Sequence, residues 1–377
     1  MKIAFAVDAI IPPLTGIGRY ALELARYFST HNDPIRSLQF FFVDQRILRH
    51  QAVLEGDAAS VRPRYKGLQR LMWRDARIRR WQVQRQLRGH IFHSPNYFLP
   101  DSVERGIVTV HDLSVFRYPE THPVERIRHF ERSFASTLRR ASHLITDSEA
   151  IREEVVSHFG WPLDRITSVP LGVHSSFRPR THAEVIDVLG QLGLAPGGYA
   201  LSVSTLEPRK RIDRLIAAYA VLPATLRHRY PLVLVGGAGW LSEALHSEIV
   251  RAQNEGWLRY LGFVPDAQLP ALYGGARAFF MPSKYEGFGL PVLEAMASGV
   301  PTLTSNVSSL PEVAGNAALL VEPDDHDALR EGVEKVLSDD IWRVEASRRG
   351  LTIAGSATWE RCAASTIDVY RAVARSG

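Results

Sequence analysis

Cysteine is nearly absent from the 377-residue sequence, in which Cys362 is the single example. One cysteine cannot form an internal disulfide, so the protein is not one of the extracellular domains that disulfides stabilise. A single cysteine fits the reducing cytosol. No apolar run approaches the roughly 20 residues that a membrane-spanning helix needs. The N-terminal run MKIAFAVDAIIPP carries Asp8 and stops at two prolines, so we expect no signal peptide. We therefore predict a cytoplasmic protein.

Metal-binding patterns are also missing. The cysteine and histidine spacing suits no zinc site, and no internal repeat is present. Two acidic clusters, Asp324–Asp327 and Asp339-Asp340, each precede a helical pattern. Carboxylates at that position cap helices and match the helix dipole, which explains both clusters better than a metal clamp does. We predict that no metal is required.

The remaining composition is that of a globular protein, 45% hydrophobic and 23% charged, with a net charge of +5. Its length favours two domains. Short apolar strands alternate with helical patterns, which predicts α/β domains built on parallel sheets. We expect an N-terminal domain over 1–178, a linker over 179–198, a second domain over 199–357 and a last helix over 358–377.

The most informative stretch is Lys284–Pro301, KYEGFGLPVLEAMASGVP. Gly287 and Gly289 let the backbone approach a ligand closely, and Pro291 suits the first turn of a helix, whose free N–H groups favour an anion. Glu286 lies before that helix and Glu294 inside it, and carboxylates accept hydrogen bonds from hydroxyls. Phosphate and hydroxyl recognition together indicate a sugar nucleotide.

Other candidate residues follow strands, where ligands of parallel sheets bind. Arg209 and Lys210 can hold a diphosphate, and their proximity in sequence to the domain of Lys284–Pro301 favours that role over a solvated charge run. His111 can donate a hydrogen bond or move a proton, although a loop histidine bonded to backbone fits its position slightly better. Gly16 and Gly18 fit a ligand loop or a plain turn equally well, and Gly236 begins another glycine turn.

The region 62–90 is the most basic, with ten Lys or Arg residues against the single acid Asp75. It also carries Trp73 and Trp81. A basic helix with tryptophans can lie on an anionic membrane surface, and a solvated helix whose apolar side packs in the core fits equally well. Nucleic acid is the weakest alternative because no recognised binding module accompanies the patch.

The sequence resembles the retaining glycosyltransferases of family 4, which have the GT-B fold. The resemblance covers nearly the whole chain. It rests on EGFGLPVLEAMASGVP from Glu286, TLEPRKR at 205–211, VTVHDLSVF at 108–116, TGIGRY at 15–20 and ATWERCA at 357–363. It implies two Rossmann-like domains that face each other across a cleft, with a C-terminal helix that crosses back to the N-terminal domain.

The resemblance also implies roles for the site residues. Glu286 contacts hydroxyls of the donor sugar, and Glu294 binds the ribose of the nucleotide. The backbone of Gly287, Phe288, Gly289 and Leu290 binds sugar and phosphate. Arg209 and Lys210 neutralise the leaving diphosphate, His111 lies at the reacting sugar, Gly16 and Gly18 approach the phosphates, and Val264 lines the base. Ser204 and Arg211 stand where family members often carry Gly and Asn, beside the phosphate motif.

The resulting prediction is a hexosyltransferase of surface-polysaccharide or O-antigen synthesis, closest to mannosyl- or rhamnosyltransferases that use GDP-sugars. UDP- or ADP-sugar donors are the alternative, and a lipid-linked glycan is the expected acceptor. A Rossmann dehydrogenase or epimerase is disfavoured, because the long loop Asp8–Thr15 separates Gly16, Gly18 and Ala21 from the first strand. A non-catalytic glycan- or membrane-binding subunit is a further alternative.

Overall fold

The computed structural model describes residues 1–31, 33–61, 76–239 and 243–376. Its strands are β1 Lys2–Ala6, β2 Ser37–Phe42, β3 Gln45–Ile47, β4 Ile91–Ser94, β5 Gly106–Val110, β6 Ala141–Thr146, β7 Ile166–Ser168, β8 Ala200–Val203, β9 Leu232–Val235, β10 Leu258–Tyr260, β11 Ala278–Met281, β12 Thr302–Ser305 and β13 Leu319–Val321. Its longer helices span Gly16–Thr30, Ala76–Leu87, Val124–Arg140, Glu149–Phe159, His182–Gln191, Ile212–Ala220, Glu243–Asn254, Leu290–Ala297, His326–Ser338, Asp340–Ser356 and Trp359–Ser376. Shorter ones span His50–Leu54, Ser114–Arg117, Ala224–Arg229, Leu269–Gly274 and Leu310–Ala314.

Tertiary contacts divide the chain into two units. Unit 1 comprises Met1–Leu113, Glu125–Gly172 and the chain from Trp359 onward, and unit 2 comprises Ser114–Val124 and Val173–Thr358. The helix Trp359–Ser376 thus joins unit 1, where its Tyr370 ring lies 5.7 Å from that of Phe28. No described helix is long and apolar enough to cross a membrane.

Unit 1 is built on a sheet with strand order β3-β2-β1-β4-β5-β6-β7. All neighbouring pairs are parallel except β2 with β3. The interior strand β5 is buried along its whole length, as expected for a strand covered on both faces. Because the order reverses direction between β1 and β4, the carboxyl ends of these strands border a crevice of the kind that binds ligands in open α/β sheets.

Unit 2 has a second, wholly parallel sheet with order β10-β9-β8-β11-β12-β13. Its core includes the buried side chains of Leu215, Tyr219, Leu234, Trp257 and Phe280. Here the order reverses between β8 and β11. The loops that follow these two strands carry Arg209, Lys210 and Glu286. The α/β prediction is confirmed for both units.

The predicted linker over 179–198 needs correction. It contains the helix His182–Gln191, which begins with a capping box between Thr181 and Glu184. Its Val185 and Leu189 are buried, so the segment is part of the packed structure of unit 2. Flanking proline and glycine residues masked this signal, although the Thr-x-x-Glu spacing is itself typical of a helix start.

A second departure concerns Ser114–Val124, which belongs to unit 2 although the chain on both sides of it belongs to unit 1. The ring of Tyr118 lies 5.2 Å from that of Tyr285, and the ammonium of Lys284 lies 5.9 Å from the centre of the Tyr118 ring. This segment therefore packs on the loop that carries Glu286.

Candidate active site

The loop after β11 enters the helix Leu290–Ala297 through Gly289, which has a φ of 112°. An added Cβ at Gly289 would also lie 2.9 Å from a methyl group of Leu310. The backbone conformation therefore requires glycine, and the Leu310 methyl group would have to move to admit a side chain. Leu290 and Pro291 form the first turn of the helix, as predicted, so the positive end of its dipole is at this loop.

Two serines after β12 fix the shape of the same loop. The hydroxyl of Ser308 accepts from the N–H of Glu286 at 2.9 Å and donates to the Glu286 carbonyl at 2.9 Å. The hydroxyl of Ser309 donates to the carbonyls of Glu286 at 2.9 Å and Phe288 at 2.8 Å. Sequence reasoning missed both serines, because nothing local indicates that a loop 21 to 23 positions away needs their hydroxyl groups.

Glu286 is buried and is paired directly with the two predicted phosphate-binding cations. Nζ of Lys210 donates to both carboxylate oxygens, at 2.6 and 2.8 Å. Nη1 of Arg209 lies 3.4 Å from Oε2 of Glu286 and donates to the Tyr285 carbonyl at 2.8 Å. Burial would raise the pKa of Glu286, but Lys210 and Arg209 outweigh it and hold this pKa below its ordinary value. The carboxylate is therefore ionised at neutral pH.

The structure thus brings Arg209, Lys210 and Glu286 into one cluster, at the reversal of strand order in unit 2. Glu294 is also buried, 6% exposed, inside the helix Leu290–Ala297, and Phe288 is 8% exposed. Val264 is buried in the loop after β10. All of these residues follow the carboxyl ends of parallel strands, which is the edge where such sheets bind ligands.

Gly236 is explained by contact with its own neighbours. Its φ is 141°, and an added Cβ would lie 2.0 Å from the carbonyl oxygen of Ser204. Its N–H donates to the Gly262 carbonyl at 2.8 Å, and its carbonyl accepts from the Tyr260 hydroxyl at 3.0 Å. The glycine therefore allows two loops to approach closely, while its backbone polar groups bond within the protein.

Arg211 turns away from the cluster. It has a φ of 55°, in the left-handed region that asparagine tolerates better than arginine. Its Nη2 donates to Asp324 at 2.5 Å, and Nζ of Lys284 donates to the same carboxylate at 3.2 Å. Asp325, beside it, caps the helix His326–Ser338 as predicted, by accepting from the N–H of Ala328. Asp324 is thus an ion-pair partner.

In unit 1, His111 is buried and both ring nitrogens have partners. Nδ1 lies 2.7 Å from Oδ2 of Asp147 and Nε2 lies 2.7 Å from the carbonyl oxygen of Pro95. Burial alone would lower the pKa of His111, but Asp147 and the hydrogen bonds raise it. Asp147 was not predicted, since it lies 36 positions away along the chain.

The glycine loop of unit 1 opens the helix Gly16–Thr30. The hydroxyl of Thr15 caps this helix by accepting from the N–H of Gly18 at 3.3 Å. An added Cβ at Gly18 would lie 2.7 Å from the carbonyl oxygen of Ala9, whereas Gly16 has open space around it. Packing therefore accounts for Gly18, and a close approach of a ligand remains the interpretation of Gly16.

Comparison with known proteins identifies the family. Residues 195–352 match the family model of glycosyl transferases group 1, and residues 14–177 match that of glycosyltransferase family 4. The chain is 42% identical to O-antigen chain mannosyltransferase B of Escherichia coli, over 98% of this chain and 100% of that protein.

The chain belongs to the family 4 glycosyltransferases. It is also 34% identical to the serotype-specific mannosyltransferase WbdA of Escherichia coli, over 72% of this chain and 34% of that protein. Among solved structures, WaaG, a glycosyltransferase involved in lipopolysaccharide biosynthesis, matches with a TM-score of 0.71 at 17% identity, over 97% of this chain and 99% of that one.

Sucrose-phosphate synthase of Thermosynechococcus elongatus matches with a TM-score of 0.74 at 20% identity, over the whole of both chains. At these sequence identities the structural matches are evidence of the fold alone, and they confirm the predicted GT-B fold. The family and its enzyme class, predicted from the motifs, are confirmed as well.

Proposed function

We propose that this glycosyltransferase moves mannose from GDP-mannose to a hydroxyl of a growing lipid-linked glycan, in O-antigen or related surface-polysaccharide synthesis. The observation that carries the proposal is the 42% identity to an O-antigen chain mannosyltransferase over essentially the whole of both chains. Identity across the full length includes unit 1, which we assign to the acceptor, as well as unit 2, which we assign to the nucleotide sugar, so it bears on the acceptor as well as on the donor.

The chemistry of the unit 2 cluster is compatible with such a transfer. The bond between the sugar C1 and the β-phosphate oxygen breaks, a bond between C1 and the acceptor oxygen forms on the same face, and the leaving phosphate takes the acceptor proton. The transition state is cationic at the sugar and anionic at the diphosphate. Arg209, Lys210 and the start of the helix Leu290–Ala297 match the anionic part. No metal is needed to neutralise the diphosphate in this scheme.

Glu286 and Glu294 take the hydroxyl groups of the donor in this proposal. Glu286 is held as a carboxylate by Lys210 and Arg209, so it accepts hydrogen bonds from sugar hydroxyls. Glu294 binds the ribose of the nucleotide, and the backbone from Gly287 to Leu290 binds the sugar and the phosphates. Val264 contacts the base of the nucleotide. His111, in unit 1, acts at the reacting sugar. Its buried pairing with Asp147 fixes the orientation of the ring, and Asp147 raises the pKa of His111.

Thermal-shift measurements with GDP-, UDP-, ADP- and dTDP-sugars test the donor. A ligand that binds only the folded protein stabilises it by RT ln(1 + [L]/Kd), so the true donor raises the melting temperature most. We expect GDP-mannose to do so, with the effect reduced in Lys210→Met. Glu331→Ala, an exposed position on the helix His326–Ser338, is the matched control that keeps the full shift. A larger shift with a UDP- or ADP-sugar would replace GDP-mannose as donor.

We further propose that the protein works in the cytoplasm, in peripheral contact with the anionic inner face of the membrane through the region 62–90. Residues 62–75 lie outside the described part of the structure. In the described helix Ala76–Leu87, the Trp81 side chain is 59% exposed while Val83 is fully buried. The exposed tryptophan supports membrane contact, and each nearby Lys or Arg adds about 1 kcal/mol of attraction to an anionic surface.

Two arginines of this helix are already paired within the protein, which limits that attraction. Arg79 contacts Asp44 at 3.0 Å and Arg80 contacts Glu104 at 3.0 Å. Flotation with phosphatidylserine-containing liposomes at low salt tests the proposal. We expect the protein to float and Trp81→Ala to float less, whereas a wild-type protein that stays at the bottom of the gradient would remove the membrane contact.

A further inference from the structure

Glu207 is a buried carboxylate beside the proposed phosphate site. It follows β8, is 4% exposed, and its Oε1 lies 3.0 Å from Nη2 of Arg209. The backbone around it is fixed, since its N–H donates to the Thr205 carbonyl and its carbonyl accepts from the N–H of Lys210, both at 3.0 Å. Pro208, with its restricted φ, separates the two charged residues. The carboxylate is therefore held in place relative to Arg209.

Both terminal nitrogens of the Arg209 guanidinium contact an acceptor. Nη1 donates to the Tyr285 carbonyl at 2.8 Å, and Nη2 contacts Glu207. A guanidinium is planar, so acceptors on both terminal nitrogens fix the orientation of the whole group. Without Glu207, Nη1 keeps the Tyr285 carbonyl and Glu286 as neighbours, and Nη2 loses its carboxylate partner. Glu207 thus determines where the remaining donor directions of Arg209 point.

Stability alone does not account for this carboxylate. Its Oε2 is buried and has no hydrogen-bond partner among the described residues. A buried carboxylate oxygen without a partner is costly, and a neutral side chain of similar shape avoids that cost. The arrangement sacrifices some stability and gains a fixed guanidinium at the reversal of strand order in unit 2.

We propose that Glu207 is a positioning residue for Arg209, which it orients toward the leaving diphosphate of the donor. The proposal rests on the proposed function, because the role of Arg209 is part of it. Nothing in it requires Glu207 to touch the substrate. Its effect on the reaction passes entirely through Arg209, which gives it a distinctive signature in a double-mutant cycle.

The test measures kcat and donor KM for mannosyl transfer in wild type, Glu207→Ala, Arg209→Ala and the double variant. A misplaced catalytic group can cost on the order of 10²-fold in rate. We expect Glu207→Ala to lower kcat by about that factor in the wild-type background and to have no further effect in the Arg209→Ala background. Multiplicative losses in the double variant, or an unchanged kcat in Glu207→Ala, would overturn the proposal.

Glu207→Gln and melting temperatures separate positioning from a structural role. Glutamine keeps an oxygen that accepts from Nη2 and removes the negative charge, so we expect kcat to recover most of the way toward wild type. If Glu207→Ala does not fold, the same cycle is run with Glu207→Met, which has no oxygen to accept from Nη2, and there too multiplicative losses refute the proposal. Glu331→Ala controls for removal of a glutamate elsewhere in unit 2.

Calorimetric binding of GDP keeps this result distinct from the proposed function itself. A wild-type protein that neither binds GDP nor transfers mannose refutes the proposed function. A wild-type protein that does both, with independent effects of Glu207 and Arg209, refutes only the positioning role.

Discussion

The buried pair of Lys210 and Glu286 makes Lys210→Met the most informative perturbation of stability. Methionine keeps the apolar stem of the lysine and removes only the charged head. The two side chains are 12% and 10% exposed, and Nζ contacts both carboxylate oxygens at 2.6 and 2.8 Å. Removing one partner of a buried pair typically costs 3–5 kcal/mol, because the other charge stays buried. Arg209 remains 3.4 Å away, so we expect about 3 kcal/mol.

The assay is urea denaturation of wild type, Lys210→Met, Glu286→Gln and the double variant at pH 7. The double variant buries no unpaired charge, so we expect it to be more stable than Lys210→Met by about 2 kcal/mol. A coupling free energy below about 0.5 kcal/mol is what independent sites give. Such a value, or a Lys210→Met protein as stable as wild type, would refute the reasoning.

The same variant has a predictable pH dependence. In wild type the pKa of Glu286 is lowered, so the pair contributes stability that is present above the unfolded value of about 4.3 and is lost as the pH falls through the folded value. In Lys210→Met, burial is no longer outweighed and we expect the pKa of Glu286 to rise above the unfolded value. Protonation then relieves the variant, so its deficit relative to wild type should shrink from pH 7 toward pH 4.

Three further predictions concern other elements. Gly236→Ala should destabilise the protein by about 3 kcal/mol, since its Cβ would lie 2.0 Å from a carbonyl oxygen, whereas Gly237→Ala, with open space, should change the urea midpoint little. The pKa of buried His93 is lowered to about 3, mainly by burial, so the free energy of unfolding should fall by about 2 kcal/mol from pH 6.5 to 5. His93→Gln should flatten this dependence of stability on pH, and an equally steep dependence in the variant would contradict the assignment. Asp147→Asn should lower the pKa of His111, measured by NMR titration. An unshifted His111 pKa would show that Asp147 does not stabilise the protonated ring.

Local patterns predicted the residues that depend on local structure. Pro291 after Gly289 gave the start of a helix, and the helix begins at Leu290. The acidic cluster at 324–327 predicted an N-terminal helix cap, and Asp325 caps the helix His326–Ser338. The alternation of short apolar runs with helical patterns was enough for the α/β class. These features depend on neighbours within a few positions along the chain, which a single sequence displays directly.

Contacts between distant positions were not predictable in the same way. Sequence reasoning assigned Glu286 to sugar hydroxyls and Lys210 to phosphate, but it could not show that the two pair with each other across 76 positions. The serines that shape the loop and the aspartate beside His111 were missed for the same reason. Sheet topology brings these loops together, because β8 and β11 are neighbours in unit 2 and β5 and β6 are neighbours in unit 1.

The most direct test of the account is the product formed from GDP-mannose labelled in the sugar and a lipid-linked glycan acceptor, with the linkage determined by NMR. We expect labelled glycan whose new mannosyl linkage keeps the anomeric configuration of the donor, with the yield strongly reduced in Arg209→Ala and unchanged in Glu331→Ala. A product of inverted configuration, or full transfer by Arg209→Ala, would contradict it.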